Sequence, residues 1–204
     1  MPMLDLDRAA LTLTPGTGER LALAQYRADF AERQRAIRGR DSWKFERSQY
    51  FEEHHLGSDE FHRGDRSAAR RAIDEGRAEF ANWVAQDNAN GTTFYRVRIV
   101  EEPLTPYLHW EMLLLRAQAE CGNKIRVVHA EAIRHLEVDG VLPEVVTLGG
   151  QTLYEVIYTA SGALDGGVRH VDQHKIEHWQ TFTARLYESG EDVVDYTTRT
   201  LKDV

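Results

Sequence analysis

Three histidines, His170, His174 and His178, recur every fourth residue, and imidazoles at i and i+4 on a helix can share a zinc ion. Asp172, however, is placed to cap the helix that follows, which sets His170 outside it, and Glu177 is not positioned as in H-E-x-x-H. The sequence therefore assigns no metal, with these three residues as the runner-up set. His54, His55 and His62 fall in the polar stretch Glu52–Gly64, read as a solvated loop. Glu111 stands in an otherwise apolar run, so a cation is expected beside it; Arg96, Arg98 and Arg126 on flanking strands are the candidates for a bidentate contact. That pair could be structural or could anchor a ligand, and both readings stay open. With Glu101 and His109 close in sequence, the set Glu101, His109, Glu111, Arg98 and Arg126 is the candidate binding site. Cys121 falls at a helix C-terminus, where the dipole disfavours a thiolate, and no catalytic residue is assigned. Gly149-Gly150 and Gly166-Gly167 lack a following phosphate-cradling helix and read as turns, so no cofactor is implied.

The elements that must position these residues centre on Phe94–Val128. Phe94, Arg96, Arg98 and Val100 alternate with Tyr95, Val97 and Ile99, the period of a strand. Pro103 and Pro106 end it, Thr105 is placed to cap a helix with Pro106 at its first position, and that helix runs to about Glu120. Gly122-Asn123 stops the helix, and Lys124–Val128 returns as a strand, with short connections favouring a parallel pair.

Upstream, Leu23, Tyr26, Phe30 and Ile37 form one stripe of a helix over Glu19–Ile37, and Ser42–Phe51 alternates as a strand. Asp65 begins a helix expected to reach Asn88, burying Ala69, Ile73, Phe80, Trp83 and Val84. Downstream, Glu144–Leu148, Thr152–Thr159 and Gly167–Val171 have the spacing of hairpin strands, and Asp172 opens a helix to about Ser189 with Ile176, Trp179, Thr183 and Leu186 inward. Trp43, Trp83, Trp110 and Trp179 are all expected in the core. The fold class is α+β, a single mixed sheet with flanking helices, containing the strand–helix–strand unit and a C-terminal hairpin plus helix. The divisions are residues 1–41 as leader and amphipathic helix, 42–189 as the domain, and 190–204 as a tail.

Composition narrows the function classes. A chain of 204 residues with a formal net charge of −8 opposes direct binding to a phosphate backbone, although Arg20–Arg40 carries six arginines. No run of about 18 apolar residues exists to cross a membrane. The N-terminus lacks the pattern of a secretory signal, and the single cysteine fits a reducing compartment, so the setting is read as cytoplasmic.

The string RVRIVEEPLTPYLHWE at Arg96–Glu111 resembles the central motif of an actinobacterial family known as domain of unknown function 6879. The likeness extends over about Ser42–Leu186, with an aromatic strand like Trp43–Tyr50 and a tryptophan such as Trp83. His109 stands where members often carry Arg, and Glu144–Leu148 lacks their usual Asp and aromatic residues. The resemblance implies a regulatory, partner-binding role, with a protein partner such as a helix-turn-helix regulator. The element order is also similar to one half of a phospholipase D-like domain, whose H-x-K-x4-D motif is absent; His174-Lys175 is the near miss. The resulting expectation is a non-enzymatic regulatory or partner-binding domain, with Leu23–Ile37 as a docking or homodimer element. The alternative is a ligand sensor or enzyme using a cleft near Glu101, His109 and Glu111.

Overall fold

The computed structural model describes residues 8–201. The first seven residues of the expected leader and the last three of the tail lie outside the described residues. Among the described residues eight strands form one mixed sheet in the order β1-β7-β6-β5-β2-β3-β4-β8. Its centre is parallel: β2 (Ser42–Glu46) pairs with β3 (Phe94–Val100), and β3 with β4 (Lys124–His129). Antiparallel strands continue outward through β5 (Val145–Leu148), β6 (Thr152–Tyr158) and β7 (Leu164–His170). At the two edges lie β1 (Glu19–Ala22) and the two-residue β8 (Glu191–Asp192).

Strand parity divides the core between two faces. Phe45, Val97, Ile99, Val145 and Leu153 pack under α7 (Gln173–Ser189), through Ile176, Trp179, Phe182 and Leu186. Leu11, from the short helix α1 (Arg8–Leu11), joins this core and accepts a hydrogen bond from the buried Trp179 indole at 3.1 Å. The opposite face carries two separate cores. Over β3 and β4 lie α3 (Ser58–His62), α4 (Arg66–Glu75), α5 (Arg77–Ala89), α6 (Pro106–Glu120) and α8 (Val193–Thr200). Over β5–β7 lies α2 (Leu23–Ala36), with Tyr26 and Phe30 against the Tyr154 ring at 5.3 and 5.6 Å.

The strand–helix–strand unit has the expected caps: Thr105 accepts from the Leu108 amide at 3.1 Å, and Pro106 opens α6. Asp172 likewise caps α7.

Several local expectations are corrected. Residues 19–22 are a strand, and the helix begins at Leu23, because β1 completes the sheet beside β7. The stripe of α2 faces the chain's own sheet. The strand at Ser42 ends at Glu46. Within the supposed polar loop, α3 forms because Phe51 and Phe61 are drawn into the core. The long helix from Asp65 is two helices that meet at Gly76. A β-carbon there would stand 2.8 Å from the Phe80 ring and 2.9 Å from Leu56, so close packing needs a glycine. The separate α5 buries Phe80 but leaves Trp83 41% exposed, outside the expected core. Gly166-Gly167 lie inside β7, not in a turn. The Tyr26 ring of α2 packs where a Gly167 β-carbon would come within 2.8 Å.

Candidate functional site

Between the two cores on the α6 face none of the described elements covers the sheet, and a cleft of about 620 Å³ lies over the seam of β5, β2 and β3. That volume lies within the range of small-molecule sites. Its floor is Phe94, Val146 and Val156 together with Lys44 and Arg96. One wall is α2, with Tyr26, Phe30, Gln34 and Arg35; the other is α5, with Trp83, Gln86 and Asp87. Phe51, Glu52, Glu53 and Tyr158 close one end, and Asn123 and Lys124 also line it.

The floor follows from strand register. Lys44 is the register partner of Arg96, and Glu46 of Arg98, on adjacent parallel strands, so all four side chains share the cleft-side face. Glu46 is 5% exposed and ion-paired to both Lys44 and Arg96, the latter at 3.5 Å. Burial alone would raise the Glu46 carboxyl, but Arg96, Lys44 and Arg98 hold it down at about 2.

Farther along the same face, under α6, Arg98 is fully buried and its Nε donates to Glu111 Oε2 at 2.8 Å. Its Nη1 donates to the carbonyls of Ile99 at 2.9 Å and Glu46 at 3.3 Å. Burial pushes the Glu111 carboxyl up more strongly than Arg98 pulls it down. Glu144, at the entrance to β5, accepts from the Arg47 amide at 3.0 Å and the Ser48 amide at 2.5 Å. Burial still lifts its carboxyl to about 7. The wall is pinned through Asp29, which accepts from Tyr154 Oη at 2.5 Å, Arg169 Nη1 at 2.7 Å and Arg33 Nε at 3.1 Å. These contacts tie α2 to β6 and β7.

Of the residues singled out in the sequence, Arg98 and Glu111 come together. Glu101 is exposed and accepts from Arg47 Nη2 at 2.7 Å, and His109 is a partly buried residue of α6 that does not line the cleft. Arg126 lies on the α7 face, where its Nη1 donates to the carbonyls of Tyr187 and Gly190, both at 3.2 Å, and its guanidinium covers the Tyr187 ring. The sheet therefore separates Arg126 from Glu111. His170 is a buried residue of β7, whereas His174 and His178 are successive turns of α7 with ring centroids 4.1 Å apart. Among the described residues no group of three or more His, Cys, Asp or Glu is placed to hold a metal ion. No helix among them is long and apolar enough to cross a membrane.

Sequence reasoning missed Lys44, Glu46, Tyr26, Phe30 and the cleft position of Trp83. A signal for the first two was present: Lys44, Glu46, Arg96 and Arg98 occupy alternate positions of strands whose other face is apolar. Charged residues at alternate positions of a doubly covered strand mark a polar site.

A family model described as "Domain of unknown function (DUF6879)" matches residues 28–198. No curated protein matches, and no solved structure does.

Proposed function

This chain belongs to the DUF6879 family, and we propose that it is a small-ligand-binding protein whose cleft takes a molecule with an apolar or aromatic body. The observation that carries this reading is the cleft itself, about 620 Å³ floored by Phe94, Val146 and Val156 and walled by Tyr26, Phe30 and Trp83. A protein core ordinarily closes such a gap, because uncovered apolar surface costs roughly 25 cal/mol per Å² left in water. Here two helices stand apart over the sheet with aromatic side chains facing the space between them.

The reading places ligand recognition at Lys44 and Arg96 instead of around Glu101 and His109. It assigns no bond-making residue. Occupancy, in our reading, is what a protein partner senses: a ligand bridging α2 and α5 would stiffen the wall that Asp29 pins to β6 and β7.

N-phenyl-1-naphthylamine, a neutral aromatic molecule that fluoresces on leaving water, tests the site. The wild-type protein is expected to bind it saturably. Gln34→Trp, which places an indole in the cleft from a partly buried position of α2, is expected to abolish binding without lowering the melting temperature. No saturable binding by the wild type, or equal binding by Gln34→Trp, would overturn the reading.

A further inference from the structure

We propose that the cleft selects a monoanion: a small aromatic molecule bearing one negative charge, held at the floor by Lys44 and Arg96. This deepens the ligand-binding reading and rests on it.

Charge is locally unbalanced at the cleft floor. Lys44 and Arg96 stand side by side on β2 and β3, with side chains only 23% and 22% exposed. Both are paired to the same carboxylate, Glu46. Two cations share one anion, which leaves one positive charge in surplus. The Arg96–Glu46 approach of 3.5 Å is too long for a good charge-assisted hydrogen bond, so the guanidinium has donors to spare. Neighbouring groups do not cancel the surplus. Arg98 is matched by Glu111, and Glu144 bonds the backbone amides of Arg47 and Ser48 while burial disfavours its charged form.

Glu52, Glu53 and Asp87 also line the cleft, but among the described residues the carboxylate ion-paired to Lys44 and Arg96 is that of Glu46. Glu53 accepts from Tyr107 Oη at 3.2 Å, Glu52 faces His54 at 3.4 Å, and Asp87 accepts from the Thr92 hydroxyl at 3.5 Å. Lys124 and Arg35 offset two of these three acids, so the surplus is local to Lys44 and Arg96. Beside Phe94, Val146 and Val156 the surplus is poorly screened, so an anion arriving there gains more than it would at an open surface. A single surplus charge suits a carboxylate or sulfonate better than a phosphate dianion. The aromatic walls take the rest of the molecule, and Trp83, exposed beside the cleft, offers a face for stacking.

The test compares N-phenyl-1-naphthylamine with 1-anilinonaphthalene-8-sulfonate, which has the same ring skeleton with one sulfonate added. Fluorescence titration gives the ratio of the two dissociation constants, neutral over anionic. Lys44→Gln and Arg96→Gln are each expected to lower that ratio about tenfold, roughly 1.4 kcal/mol, by weakening the anion more than the neutral probe. If the ratio is unchanged in both variants while the neutral probe still binds, the monoanion proposal is wrong and the cleft reading survives. Loss of the neutral probe from the wild type would remove both. Should the variants fail to fold, the wild type decides: the ratio should fall as salt is raised from about 0.05 M to about 1 M, and a salt-independent ratio overturns the proposal.

Discussion

Replacing Arg98 by Met probes the buried charge array that adjoins the cleft floor. Arg98 is fully buried, and its guanidinium donates to Glu111 and to the carbonyls of Ile99 and Glu46. Methionine fills much of the same volume but leaves the Glu111 carboxylate, 5% exposed, without its cation. Removing one partner of a buried pair costs about 3–5 kcal/mol, chiefly from the charge left behind. Against a total stability of about 5–15 kcal/mol that is at least about a fifth of the whole. With an m value of about 2 kcal/mol per molar urea, the midpoint should fall by about 2 M, followed by tryptophan fluorescence. The double variant Arg98→Met/Glu111→Met should recover most of the loss, because an apolar pair of similar volume replaces the ions. The loss in Arg98→Met alone should also shrink at pH 5 relative to pH 8, since Glu111 can then escape its unpaired charge by taking a proton. A single variant costing under about 1 kcal/mol, or a double variant as unstable as the single, would refute the assignment of this pair as a buried ion pair beside the floor.

Glu144 gives a pH signature. Its folded carboxyl lies at about 7 against an ordinary 4.5, so the folded chain holds that proton more tightly than the unfolded chain. Its stabilising contribution is full below pH 4.5 and is lost as pH rises through 7, by up to about 3 kcal/mol. Glu144→Gln should flatten this fall in urea titrations between pH 5 and 8, and an unaltered profile would contradict it. Gly167→Ala should lower stability by about 1–3 kcal/mol in thermal unfolding, since its methyl would press on the Tyr26 ring and lift α2; an unshifted melting curve would place α2 elsewhere. Tyr154→Phe should cost about 1–2 kcal/mol by leaving Asp29 short of one donor, and a neutral substitution would mean that the α2 anchor runs through Arg169 and Arg33 alone.

The strand–helix–strand unit was legible because its signals agree at every level. Alternation in Phe94–Val100, Thr105-Pro106 at the helix start and Gly122 at its end all point one way. Arg98 and Glu111 could be matched as a pair because a lone carboxylate in an apolar helix demands a cation. What was not legible depended on the path of distant segments. Gly166-Gly167 looks like a turn until β1 and Tyr26 are laid against it, and no local pattern announces that approach. Trp83 falls on the apolar stripe of one long helix, and only the break at Gly76 leaves it beside the cleft. The cleft itself is a space between α2 and α5, elements far apart in sequence, so strand period and helix period are silent about it.

The central claim is that this space is a ligand site, and a crystal structure of the protein grown with N-phenyl-1-naphthylamine tests it most directly. The account predicts the naphthyl ring lying on Phe94, Val146 and Val156, between Phe30 of α2 and Trp83 of α5. A probe bound anywhere else, or α2 and α5 closed together over the sheet with no room between them, would contradict it.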